Sequence, residues 1–205
     1  MIVKVNDTNL FSLIISVPLG ALASVIGWWF LFHILSPNLK FSALISKMGD
    51  NQYTKYRVRI KNNGRRAAID LNIIVRLQIQ GLVSGNPKMR KQINLTIAGE
   101  KIPFISKQKY RIIRILPNKT DTFSDIIYPQ NIREKYSQGK LSLEDVMSIG
   151  TDNFFQIHIF AFDSFSGSRK MFLSKKYRKE DIMLGAYNGL SHIWKKDNPE
   201  HSINF

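Results

Sequence analysis

Four cations, Lys55, Arg57, Arg59 and Lys61, stand at alternate positions in the sequence. On a strand, alternate side chains leave the same face, so this spacing predicts a positive row suited to an anionic ligand. If the segment forms a hairpin that sets Lys61 opposite Asp70, then Asn72 faces Arg59, Ile74 faces Arg57 and Arg76 faces Lys55. Arg76 thus joins the candidate basic face, and Asp70 neutralises one cation only. Like charges opposed on a sheet face cost some tenths of a kcal/mol per pair, which an acidic partner relieves. Lys107, Lys109 and Arg111 repeat the spacing, and Lys175, Lys176, Arg178 and Lys179 form a compact basic run.

Catalytic chemistry has less support. The histidines, at positions 33, 158, 192 and 201, show no H-E-x-x-H motif and no i, i+4 pair, and the chain has no cysteine. No metal site and no cofactor is predicted. His158 reads as a solvent-facing strand residue. Phosphate-binding glycine loops and a G-x-S-x-G elbow are missing, and Glu144-Asp145 and Glu180-Asp181 read as helix-start acids. The expectation is a protein that binds and does not catalyse.

Holding such residues in place takes a core. The chain has 205 residues, 44% of them hydrophobic, enough for one domain plus an appendage. The appendage is residues 10–35, a run without Lys, Arg, Asp or Glu that is long enough to cross a bilayer about 30 Å thick. Residues 1–9 form a short tail before it. Trp28 and Trp29 mark a membrane interface, and Gly20, Ala21, Ala23 and Ser24 permit contact between helices. Ala21-Leu22-Ala23 has the spacing of a signal cleavage site. Apolar sequence resumes directly after it, so an uncleaved single-pass anchor is expected. Lys40, Lys47 and Lys55 follow the run, with Asp50 among them, which places residues 36–205 on the cytoplasmic side. The inverted orientation would put them in the periplasm or outside the cell.

Beyond residue 36, apolar residues alternate at Leu39 to Ile45, at Tyr56 to Ile60 and at Ala67 to Ile79. Further strands are expected at Ile93 to Ile97, Tyr110 to Leu116, Thr122 to Ile127, Phe154 to Phe162 and Ser168 to Ser174. Residues 163–168 read as a hairpin loop. Ser142 caps a short helix to about Met147, and residues 180–196 read as a C-terminal helical segment. The fold class is mainly β, an antiparallel sandwich or small barrel.

The turn and strand Lys61-Asn62-Asn63-Gly64-Arg65-Arg66-Ala67-Ala68-Ile69-Asp70-Leu71 resembles those of bacterial membrane-anchored immunoglobulin-like domains. The resemblance implies a β-sandwich used for binding and carries no catalytic residue.

The formal charge of +15 lies wholly after residue 35. Anionic lipid headgroups and a nucleotide are the ligands that suit it, exposed Tyr53 and Tyr110 being able to stack a base. A solubilising surface is the competing reading. No signature of sequence-specific nucleic-acid binding is present. The expected roles are a membrane-anchored binding or scaffolding subunit, or an effector of the phage-defence type that senses an anionic messenger. A protein partner, or a second copy joined through the membrane helix, fits either role.

Overall fold

A computed structural model describes residues 7–49, 54–82, 88–190 and 192–194. Lys4, Asp50, Tyr53, Lys195, Lys196, His201 and Phe205 lie outside the described residues. The chain divides into two compact units, residues 1–36 and residues 37–205.

The first unit is helix α1 (Asp7–Trp29), which runs into a π-helical turn over Phe30–Ile34. Within it, Ile14–Phe32 has a mean hydropathy of 1.9 and is unburied, long and apolar enough to cross a membrane. Pro18 sits inside the helix, and the Ser24 hydroxyl donates to the Gly20 carbonyl at 2.9 Å. Trp28 and Trp29 are exposed, and the Trp28 ring lies 4.7 Å from Phe32.

The second unit is mainly β. One sheet, sheet A, has the order β11 (Ile182–Leu184), β2 (Ile45–Met48), β3 (Lys55–Asn62), β8 (Tyr110–Ile115), β6 (Ile97–Ala98), with β1 (Leu39–Phe41) also on β3. The other, sheet B, has the order β10 (Arg169–Leu173), β9 (Asn153–Asp163), β4 (Ala68–Gln80), β5 (Arg90–Leu95), with β7 (Lys101–Ile105) also on β4. A separate ribbon pairs β12 (Ala186–Asn188) with β13 (His192–Trp194). Both sheets feed one hydrophobic core, Val58 and Ile113 from sheet A and Leu77 and Ile157 from sheet B among its members. Each such side chain contributes roughly 1.5–3 kcal/mol by leaving water.

Period-two patterning is realised in β3, where Tyr56, Val58, Ile60 and Asn62 are buried and the intervening cations are not. The loop at residues 163–168 does join β9 to β10 as an antiparallel hairpin. Ser142 caps α3 (Leu143–Met147), its hydroxyl accepting from the Asp145 amide at 3.0 Å while Asp145 accepts from the Ser142 amide at 3.1 Å.

Several expectations are corrected. The hairpin between β3 and β4 does not form, because the two strands belong to different sheets. Residues 63–67 turn a corner that the buried Asn62 side chain fixes. Its amide nitrogen donates to the carbonyls of Arg66 at 2.7 Å and Ile105 at 3.0 Å, and its oxygen accepts from the amides of Asn38 at 3.2 Å and Gly64 at 3.0 Å. The alternation over Ala67 to Ile79 also changes phase. Asp70 has φ +48° and the register shifts between Ile69 and Asn72, so Ala68 is buried while Ile69 is 36% exposed. This β-bulge turns Leu71 back towards the core.

Ile93 to Ile97 is two strands, β5 in sheet B and β6 in sheet A, with Thr96 between them. Thr122 to Ile127 is not a strand but a 3-10 turn that buries Phe123 and leaves Ile126 exposed. Helix α2 (Gln130–Ser137) follows it. Among the described residues of the segment 180–196, the expected helix is replaced by β11, β12 and β13. Gly185 and Gly189 break it with φ of +135° and +69°, both outside the right-handed helical region, and β11 pairs in parallel with β2.

Candidate functional site

Lys55, Arg57, Arg59 and Lys61 do share the outer face of β3. Pairing with β8 sets Arg114 directly opposite Arg57, Ile112 opposite Arg59 and Tyr110 opposite Lys61, while β1 sets Lys40 opposite Lys61. The strands of sheet A carry Lys40, Lys47, Lys55, Arg57, Arg59, Lys61, Arg111 and Arg114, and no Asp or Glu. Among these, only Lys47 has an ion-pair partner among the described residues, Glu144 at 2.6 Å from the start of α3.

Arg76 does not belong to this face. It lies on β4 in sheet B, opposite Asn94 and Gln156. Together with burial, the larger cause, it holds His158 below the ordinary imidazole pKa. Lys175 and Arg178 of the compact run are paired, with Asp181 at 2.5 Å and Asp152 at 3.1 Å. Lys109, Tyr110 and Arg111 line a shallow concavity of about 470 Å³ with Phe104, Ile105 and Ser106.

The ribbon partly covers the outer face, and sequence reasoning missed this. The Tyr187 hydroxyl accepts from the Ser46 amide at 3.2 Å and lies 2.6 Å from the Arg57 carbonyl and 2.8 Å from that of Leu44. Its ring is 5.0 Å from the Arg59 guanidinium carbon, and the Tyr110 ring is 4.4 Å from the same atom. Arg59 is therefore held between two aromatic rings and also donates to the Gly189 carbonyl. Arg57 donates to the Ser46 hydroxyl at 3.2 Å and to the Met48 sulfur. The Nε groups of both arginines are buried without a hydrogen-bond partner among the described residues.

Burial is the largest cause lowering the Arg57 pKa, and Arg114 and Arg59 push it further down against the opposing effect of Tyr187. The guanidinium stays charged, since its ordinary pKa is far above neutrality. What results is a concentrated, partly desolvated positive field in which an anion interacts more strongly than at an open surface. Sequence alone marked the β3 row and Tyr110. Arg114 and Tyr187 had no local signal, because their neighbours on the face are distant in the chain. Compared with known proteins, the sequence matches no family model and no curated protein.

Proposed function

We propose that this chain is a single-pass, membrane-anchored binding or scaffolding module that does not catalyse. Residues 10–35 span the bilayer, and the two sheets form an immunoglobulin-like sandwich on its cytoplasmic side. The observation that supports this is the unburied helix over Ile14–Phe32, with its mean hydropathy of 1.9. Apolar area left in water is unfavourable by roughly 25 cal/mol per Å², which a hydrocarbon environment removes. Trp28 and Trp29 sit at its last turn, where aromatic side chains suit a headgroup layer. The small residues Gly20, Ala21, Ala23 and Ser24 suit contact with a second copy or a membrane partner.

The test is membrane extraction combined with a reporter fused after Phe205. An integral, uncleaved protein resists alkaline extraction and keeps its N-terminus, and the fused reporter is active only if the C-terminus is cytoplasmic. Release of the protein, or a new N-terminus near Ala23, removes the anchor. Activity of a second fusion, to a reporter that works only in the periplasm, reverses the orientation.

The acid-free composition of sheet A favours a second reading, an effector whose basic domain senses an anionic ligand such as a nucleotide messenger, as in phage defence. Association of the membrane helices would then perturb the bilayer. Calorimetry of the full chain in nanodiscs with a panel of nucleotides tests it, saturable binding being expected and heat from none of them counting against it.

A further inference from the structure

We infer that Arg57 and Arg59, flanked by the exposed Arg114, form a partly covered site for a phosphate-bearing anion, and that the β12–β13 ribbon is its removable cover. This rests on the reading of the outer face of sheet A as an anion-recognising surface.

Three observations carry the site. Arg57 and Arg114 are direct cross-strand partners, and Arg59 follows two positions along the same face. Arg114 and Arg59 stand near enough to Arg57 for each to push its pKa down, and planar guanidinium forks match the oxygens of a phosphate. No carboxylate in the strands of the sheet competes for them. The Nε groups of Arg57 and Arg59 are buried donors without an acceptor among the described residues. Such a donor is unfavourable, and an anion with several acceptor oxygens is the ligand that relieves it.

The cover follows from what occupies the face now. The Gly189 carbonyl accepts from Arg59, the position an anion's oxygen would take, and the Tyr187 ring lies against the same guanidinium. Among the described residues, strands β12 and β13 pair with each other and with no other strand. Gly185 and Gly189, with φ of +135° and +69°, flank β12. Gly185, bonded to β2 through its amide and carbonyl, stands between the sheet and the ribbon, and its backbone freedom makes it the pivot on which the ribbon, Gly189 included, can lift. Tyr110, rooted in β8, stays behind as one wall of the open site.

The experiment uses the full chain in nanodiscs. Inorganic pyrophosphate on phosphatidylcholine discs represents a free phosphate, and discs containing phosphatidic acid represent a lipid headgroup. Binding of either probe is expected to raise hydrogen exchange at residues 186–194, and the arm that responds identifies the source. Tyr187→Ala and, if that variant does not fold, Tyr187→Phe are expected to tighten binding by about tenfold, because a covered site lowers apparent affinity by its closed fraction. Arg57→Ala combined with Arg59→Ala is expected to abolish binding. Binding that needs these arginines but leaves ribbon exchange and the Tyr187 variants unchanged overturns the cover while the anion face stands. No binding of either probe to wild type or to a folded Tyr187 variant overturns both.

Discussion

Arg57 on β3 and Arg114 on β8 are direct cross-strand partners, two guanidinium groups side by side in a sheet whose strands contain no carboxylate. A pairing of this kind works against folding. It persists where the charge serves a ligand, and this opposition between stability and binding gives the first prediction.

Arg114→Gln is expected to stabilise the free protein by about 0.2–1 kcal/mol, since it removes one member of a like-charge cross-strand pair. The gain should shrink as salt screens the repulsion. Urea unfolding of the full chain in detergent at low and high ionic strength measures it, and a midpoint below that of wild type contradicts the repulsion argument.

Asn62→Ala is expected to destabilise the protein by about 2 kcal/mol or more, because it strips partners from the buried backbone groups of Gly64 and Ile105 and from the part-buried ones of Asn38 and Arg66. Asn62→Asp keeps the two acceptor bonds but sets a carboxylate oxygen against the Arg66 and Ile105 carbonyls in a buried site, so at neutral pH its midpoint should fall to or below that of the alanine variant.

Stability is expected to fall in acid. Burial raises the pKa of Glu144, but hydrogen bonds from Lys47 and Tyr56 outweigh it and hold the carboxyl below its ordinary value. Asp145 behaves alike through Lys135 and Ser142, again against burial. A carboxylate with a depressed native pKa binds protons more readily in the unfolded chain. Its contribution is therefore complete above about pH 4.3 and is lost as pH falls through the native value. His158, also depressed, adds a decline of the same sign that begins near pH 6.5. Unfolding midpoints followed downward from about pH 7 test this, and Glu144→Gln should flatten the lower limb.

Gly150→Ala is expected to cost more than Gly139→Ala. Both glycines have positive φ, +75° and +66°, so both substitutions bear the left-handed strain of about 1–2 kcal/mol. At Gly139 a Cβ meets nothing within 4 Å, whereas at Gly150 it would press into the Gln80 carbonyl. That carbonyl accepts from the Thr151 amide at 3.2 Å. Equal losses in the two variants would show that the Gln80 contact relaxes freely.

Local patterns in the sequence were read well where neighbours in sequence are also neighbours in space. The β3 alternation, the β9–β10 loop and the Ser142 cap each depend on residues within one short segment. The Asn-Gly signal after Lys61 marked a real change of direction, but a turn does not encode which sheet receives the next strand. Here Asn62 spends its hydrogen bonds on Ile105 and Asn38, both far along the chain, and so diverts β4 into sheet B. The placement of Arg76 failed for that reason. At the C-terminus, Ile182, Ala186 and Leu190 have near-helical spacing, and two glycines were enough to yield short strands instead. The candidate site was half legible, since one strand displays its own cations but not the strand that will stand beside it.

The parallel pairing of β11 with β2 also orders events in time. Strand β2 is made early, at Ile45–Met48, yet the neighbour on its far side is Ile182–Leu184. During synthesis that edge must wait, with open backbone donors and acceptors, until most of the domain has left the ribosome. Contacts of such sequence separation form slowly, and an unpaired edge is where chains pair with the wrong partner. The interval between the two strands is thus when the β2 edge lies open to mispairing.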